Sequence, residues 1–242
     1  MEFSSNEKNG IEYLTIPAFE RSGLTVHGFS QRDIKKPEDL SGILNIDPTD
    51  LTQAEQVHGD KIYVIDEKIK GTISSGCDAL LTRIPNIPLV IRTADCVPIF
   101  LLDPKTMSVG LVHAGWRGSL LNIAGKSIRK MRDSFKSKPE DILAAIAPSI
   151  GPCCYEIKEN VIKDLKEKLK NWKEFTTTSA DEKSYLNLRK LNSSQLIEAG
   201  VPKTNITMSK ECTACASNRF YSYRKEGEKA GRMFALIMLK GF

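Results

Sequence analysis

Two histidines and one cysteine stand where a metal ion or a nucleophile would need them. His58 lies in Gln56-Val57-His58-Gly59, Cys96 in Thr93-Ala94-Asp95-Cys96-Val97-Pro98, and His113 in Val112-His113-Ala114-Gly115-Trp116-Arg117-Gly118. Imidazole, thiolate and imidazole are donors that zinc prefers, and three protein ligands with a fourth position open mark a catalytic rather than a structural zinc. The same residues admit a second chemistry, with Cys96 as nucleophile and His113 as its base in a thiolate–imidazolium pair. Histidine is scarce, with 3 in the whole chain. An oxidase holding several copper ions needs more imidazoles than His27, His58 and His113 supply. Spacing alone carries little here, because the ligands come from separate segments. The plain alternative is a buried Cys96 packed as a small hydrophobe and histidines satisfied by hydrogen bonds.

The elements that must position these residues are mostly strands in the first half. Ile11–Ile16, Leu24–Phe29, Ile62–Asp66, Ala79–Thr82, Leu89–Thr93, Pro98–Leu102 and Ser108–His113 are short apolar runs bounded by Gly, Pro, Asp or Asn. The runs ending at Thr93 and Leu102 are nearly continuous in apolar character, which predicts burial on both faces. Asp103-Pro104-Lys105 signals a turn. His58, Cys96 and His113 then fall at or beside strand ends, held by the sheet yet open to loops. Leu120, Ala124, Ile128, Met131 and Phe135 recur at helical steps, as do Ile157, Val161, Leu165 and Leu169. Leu188–Ala199 predicts a third helix, stopped by Gly200-Val201-Pro202. Ile142–Ala147 and Met233–Leu239 read as further strands. The pattern predicts one α/β domain over residues 1–242, with α+β character and a central mixed sheet flanked by helices; Lys136–Pro139 is too short to be a convincing linker.

Composition excludes several classes. The chain has 242 residues, 40% hydrophobic and 27% charged, with a net charge of +5 dispersed along it. No polybasic arm exists, so nucleic-acid binding is not indicated. The polar stretch Met1–Asn9 leads into no apolar signal segment, and no run approaches membrane-spanning length. The 6 cysteines then read as reduced thiols of a cytoplasmic protein. Cys212-Thr213-Ala214-Cys215 is a lone pair needing two more ligands for a structural zinc, and it reads as incidental thiols. Asp78, before a strand, is placed to orient a ligand, to act as acid or base, or to cap the strand. Asp95 points away from Cys96 if the segment is extended, and it reads as structural or as a support behind the ligand.

The motifs around His58, Cys96 and His113, together with Ile150-Gly151-Pro152-Cys153-Cys154-Tyr155-Glu156, Phe220-Tyr221-Ser222-Tyr223-Arg224 and Gly231-Arg232-Met233, resemble those of the laccase-domain, or multicopper polyphenol oxidase-like, proteins. The resemblance runs from about His27-Gly28-Phe29-Ser30 to the C-terminus. It implies a zinc-dependent purine nucleoside enzyme, phosphorolysing adenosine, inosine, guanosine and methylthioadenosine and deaminating adenosine. It implies His58, Cys96 and His113 as metal ligands and catalytic residues, with copper a possible substitute for zinc. Purine nucleosides and phosphate are the implied partners. The fold of the family has been likened to toxin-like cysteine hydrolases, and some members are described as peptidoglycan-editing factors. A Cys96–His113 hydrolase acting on peptidoglycan precursors and a copper polyphenol oxidase are therefore the rival activities.

Phosphorolysis needs a dianion held beside the ribose, and guanidinium forks bind phosphate oxygens in pairs. Arg92, Arg117, Arg224 and Arg232 are the candidates. His27 is a candidate for the ribose. Where family members carry a Gly-Gly loop and then Asn-Leu, this chain has Gln31–Pro37 and, further on, Asn45, the candidate stand-in. Cys153-Cys154 reads as buried packing.

Overall fold

The predicted Asp103-Pro104-Lys105 turn closes the hairpin around which the protein is built, in a computed structural model that describes residues 3–69, 71–73 and 75–241. Asp103 Oδ1 accepts from the backbone N–H groups of Lys105 (2.8 Å) and Thr106 (3.2 Å), a side chain substituting for backbone in the turn. Strands β9 (Val97–Asp103) and β10 (Ser108–Ala114) flank the turn, and every residue of both is buried. Alternation divides their side chains between two cores. Val97, Ile99, Leu101, Val112 and Ala114 enter one, and Phe100, Leu102, Val109 and Leu111 the other. Burial on both faces is why the run is continuously apolar.

The hairpin sits at the centre of a six-stranded sheet ordered β15 (Ile206–Met208), β11 (Leu143–Ile146), β9, β10, β7 (Ala79–Thr82), β5 (Ile62–Ile65). Its middle is antiparallel, while β11–β15 and β5–β7 pair in parallel. A seven-stranded sheet, also mixed, runs β1 (Ser4–Lys8), β2 (Ile11–Thr15), β3 (Thr25–Ser30), β16 (Met233–Leu239), β8 (Leu89–Thr93), β4 (Thr52–Ala54), β6 (Gly71–Ile73). A small third sheet joins β12 (Glu156–Ile157), β14 (Ser184–Leu186) and β13 (Thr176–Thr178).

The layers follow from the cores. Helices α4 (Ile123–Phe135), α5 (Glu159–Lys168) and α6 (Leu188–Glu198) cover one face of the six-stranded sheet through Ile128, Met131, Leu165 and Leu191. Its other face packs on the seven-stranded sheet through Phe100 and Leu111 against Phe29, Ile91 and Ile237. Phe19 of α1 (Pro17–Ser22) joins that inter-sheet core. On the far side, Leu40 and Ile43 of α2 (Pro37–Ile43) cover Val90 and Leu236. Each large apolar side chain buried this way contributes about 1.5–3 kcal/mol. The molecule is a mixed α/β domain whose sheets are flanked by helices, with two large sheets where one central sheet was expected.

Three departures from the periodicity have local causes. The Leu120–Phe135 stripe is cut into α3 (Trp116–Leu120) and α4, because Asn122 adopts φ 60° and its Oδ1 accepts from Gly125 N–H to start the second helix. Ile157 belongs to β12, and α5 starts two residues later. Strand β1 is polar and only half buried along its length, so no alternation announces it. Met1 and Glu2 of the polar opening stretch lie outside the described residues, as do Lys70, Ser74 and Phe242. Among the described residues no helix is long and apolar enough to cross a membrane.

Candidate metal and substrate site

His113 and Cys96 meet because the central hairpin delivers them to the same sheet end. His113 is the penultimate residue of β10, paired with Pro98, and Cys96 immediately precedes β9. His58 arrives from the loop after β4, in a left-handed turn with φ 60°. The ligand atoms of these three residues all lie within 4.8 Å of one another. The two imidazole rings stand edge to face, with centroids 4.9 Å apart.

Asp78 builds the site from behind. It is fully buried, and its carboxylate accepts from the backbone N–H groups of Val57 (3.3 Å), His58 (3.0 Å) and Gly59 (2.7 Å). The same carboxylate lies 2.7 Å from His113 Nδ1, which leaves Nε2 for the site. Burial pushes the Asp78 carboxyl upward, but the hydrogen bonds from His113 and the loop outweigh it and hold it below the ordinary value. One side chain thus fixes both the strained His58 turn and the orientation of His113.

Two glycines of the His-Ala-Gly-Trp-Arg-Gly block are explained by close approach. A Cβ on Gly115 would sit 3.1 Å from His58 Cδ2 and 3.2 Å from Cys96 Sγ. A Cβ on Gly118 would sit 2.6 Å from the Gly59 carbonyl oxygen. A side chain at 118 forces the Gly59 backbone away, and one at 115 presses directly on the His58 and Cys96 side chains.

Burial pushes the Cys96 thiol upward, but the charge of His113 and hydrogen bonds from His113 and His58 prevail and bring it down to about 6. Burial lowers the His113 imidazole, yet the Cys96 thiolate and Asp78 raise it to about 9. Without a metal ion, the pair is a thiolate beside an imidazolium. A soft anion flanked by two imidazoles is equally a donor set for a borderline-soft cation.

The three residues line a cavity of about 990 Å³. Arg92, Arg117, Arg224 and Arg232 all line it. Arg92 and Arg117 are exposed, and no ion pair of either occurs among the described residues; Arg117 lies over the Trp116 ring at 4.4 Å. Arg224 instead donates to the Glu156 carbonyl at 2.9 Å, and Arg232 to the carbonyls of Ala230 (2.5 Å) and Gly231 (2.9 Å). His27 lies elsewhere, nearly buried beside Phe19, with Nε2 accepting from Ile16 N–H at 3.0 Å. Asn45 is exposed on the far edge, where its Oδ1 accepts from Lys8 Nζ at 2.8 Å. Neither borders the cavity.

Sequence reading passed over Gln56, Trp116 and Tyr155, all of which line the cavity. Gln56 acts as a strand extender: its side chain exchanges two hydrogen bonds with the backbone of Arg92, at 2.8 and 2.9 Å. Asp95 has the structural part expected of it, although its segment is not extended. Its φ of 83° takes the segment out of extended geometry, and its carboxylate ties together Thr213 Oγ1 (2.6 Å), Ser222 Oγ (3.1 Å) and Arg224 N–H (2.7 Å). The reading of the cysteine pairs is corrected. Cys153 is exposed and Cys154 half-buried rather than packed in a core, and both meet Cys212 and Cys215 in one cluster.

A donor trio rooted at one end of two packed mixed sheets, opening into an arginine-lined cavity, defines a globular protein suited to hold one metal ion against a small polar molecule. The chain belongs to the family described as multi-copper polyphenol oxidoreductase laccase, whose family model matches residues 23–240. It is similar to purine nucleoside phosphorylase YlmD of Geobacillus stearothermophilus, 37% identical over 195 residues, 76% of this chain and 70% of that one. It is also similar to adenosine deaminase RL5 of an unknown prokaryotic organism, 35% identical over 205 residues, 81% of this chain and 78% of that one. Among solved structures, YlmD of Geobacillus stearothermophilus superposes with a TM-score of 0.87 at 27% identity, covering 98% of this chain and 99% of that one.

Proposed function

We propose that this chain is a zinc-dependent purine nucleoside phosphorylase, taking adenosine, inosine, guanosine and methylthioadenosine, with adenosine deaminase activity. The observation that carries the reading is the convergence of the His58, Cys96 and His113 ligand atoms within 4.8 Å in the cavity that also takes in four arginines. Relatives named as purine nucleoside phosphorylase and adenosine deaminase support it.

The donors fit zinc: one thiolate and two imidazoles leave a fourth position, and Gly115 keeps the space between them clear of a side chain. His58, Cys96 and His113 would hold the ion. When bound, zinc supplies Lewis acidity and lowers the pKa of a coordinated water. The rest falls to the chain's own groups. Asp78 holds His113 in the tautomer that presents Nε2. Trp116 and Tyr155 offer aromatic faces of purine size. Arg92 and Arg117, with no ion pair among the described residues, suit the phosphate. In phosphorolysis a phosphate oxygen bonds C1′ of the ribose as the C1′–N9 bond breaks, and the electron pair leaves with the purine. Arginines beside the incoming dianion screen its charge from that departing anion.

Chromatography of adenosine incubated with metal-replete protein, with and without phosphate, tests the reading beside a Cys96→Ala control. Adenine formed only with phosphate, or inosine formed without it, is expected, and both disappear in the control. Unchanged adenosine under all conditions overturns the proposal. A second reading rests on one observation, the Cys96 thiol brought down to about 6 beside His113 at about 9. That pair suits a cysteine hydrolase acting on peptidoglycan precursors, which would retain its activity after metal is stripped.

A further inference from the structure

Of the 6 cysteines only Cys96 takes part in the site above, and four of the others converge from two segments about sixty residues apart. We propose that Cys153, Cys154, Cys212 and Cys215 form a second metal site, a structural tetrathiolate that holds one zinc ion and braces the wall of the cavity. All four sulfurs lie within 4.8 Å of one another. Cys215 Sγ is 3.5 Å from Cys153 Sγ and 3.4 Å from Cys154 Sγ. Four thiolates about 2.3 Å from a tetrahedral zinc would be about 3.8 Å apart, so one ion closes the group with small adjustments. A multi-iron cluster spreads its cysteines over several irons and needs them further apart.

The backbone builds the site. Strands β11 and β15 pair in parallel, and the pairing continues past them as a bridge between Ser149 and Cys212. Thr213 N–H donates to the Ser149 carbonyl at 3.2 Å. Each strand therefore runs into its own two-cysteine turn, and the turns face each other. Gly151 N–H donates to Cys212 Sγ at 3.1 Å, a bond that favours the thiolate. Glycine at 151 gives the cysteines room, since a Cβ there would lie 3.1 Å from Cys153 Sγ and 3.0 Å from an Arg189 guanidinium nitrogen. Arg189 is nearly buried and is pinned by the carbonyls of Ser209 (2.6 Å) and Glu211 (2.9 Å). A zinc tetrathiolate carries two negative charges, and this guanidinium offsets one of them.

The group sits directly behind the cavity. Tyr155, which lines it, follows Cys154, and Thr213, between Cys212 and Cys215, donates to Asp95 at 2.6 Å. Arg224 N–H donates to the same carboxylate at 2.7 Å. An ion here would join the segments carrying Tyr155 and Arg224 without touching substrate.

Native mass spectrometry of protein purified under reducing conditions tests the site, since the added mass identifies the ion. Wild type is expected to carry two zinc ions, Cys96→Ala/His113→Ala one, and Cys153→Ser/Cys212→Ser one. Because the last variant risks misfolding, Cys96→Ala/His113→Ala is also stripped and titrated with cobalt(II). One equivalent should give tetrahedral visible bands, with sulfur-to-cobalt absorbance roughly four times that of a single thiolate. A Cys96→Ala/His113→Ala protein with no metal and no cobalt spectrum overturns the proposal. So does a disulfide between Cys215 and Cys153 or Cys154 in the purified protein, or an added mass that matches iron. None of these results bears on the nucleoside chemistry, which is read with the four cysteines intact.

Discussion

Asp78 grips His113 at both ends of the residue: its carboxylate lies 2.7 Å from Nδ1, and its carbonyl accepts the His113 backbone N–H at 2.7 Å. Register and ring orientation are thereby set by one partner. Asp78→Asn keeps the size and one acceptor oxygen but removes the charge. Outer partners of this kind are worth about 10–100-fold in metal affinity. Zinc affinity measured by chelator competition should fall within that range. An unchanged affinity would mean that Asp78 serves only to cap the Val57–Gly59 turn.

Gly115→Ala should weaken metal binding on the order of tenfold while leaving far-UV circular dichroism intact. The added methyl meets His58 Cδ2 at 3.1 Å and Cys96 Sγ at 3.2 Å, so it strikes the ligands and no core residue. Wild-type affinity in this variant would show that the ligand loops are looser than the geometry here describes.

In metal-free protein, ultraviolet thiolate absorbance should contain a component with a midpoint near pH 6 that Cys96→Ser removes, because the Cys96 thiol lies at about 6. The folded value is depressed, so the thiolate persists above that pH and is lost as pH falls through it. A component titrating near the ordinary thiol value of about 8.5 would place a neutral His113 beside Cys96 and count against the ion pair.

His27 makes the fold acid-sensitive. Burial holds its imidazole down to about 4, against about 6.5 in the unfolded chain. Between those values the unfolded state binds the extra proton, so stability is full above the upper one and falls as pH drops toward the lower. From pH 7 to pH 5 the loss is about 2 kcal/mol for this residue alone. Urea unfolding of metal-free wild type and His27→Gln at the two pH values should show the wild type losing that much more than the variant. Parallel losses would remove His27 as the source.

Arg92→Gln separates the two proposed reactions. It should raise the KM for phosphate roughly tenfold, the cost of about 1.4 kcal/mol of anion binding, and change phosphate-independent inosine formation far less. Equal effects on both would move Arg92 from the phosphate to a general role in shaping the cavity.

Much of the architecture is legible in the sequence. Met233–Leu239 is a strand with the bounds its apolar run marks, and the Asp103 turn closes the hairpin it announces. These elements are long or are set by chemistry local to a few residues. Strands β4, β6, β13 and β14 are three residues long, too short for a period to show. Asn122 cuts an unbroken apolar stripe with a single left-handed residue, which periodicity cannot register. Gln56 sits inside a motif that drew attention for its histidine, yet its pairing with Arg92 exists only once strands β4 and β8 lie side by side.

By itself the sequence determined which side chains are able to hold a metal ion, because donor chemistry belongs to residue type, and which runs must be buried, because apolar surface must leave water. Tertiary structure alone decided the groupings. Hairpin register brings His113 to Cys96, and Asp78 turns both His113 and His58 toward it. The parallel run from β11 and β15 into the Ser149–Cys212 bridge brings together four cysteines that read as two unrelated pairs. Distance along the chain carries no information about distance in space once strands far apart in sequence pair through backbone hydrogen bonds, which any residue except proline can donate.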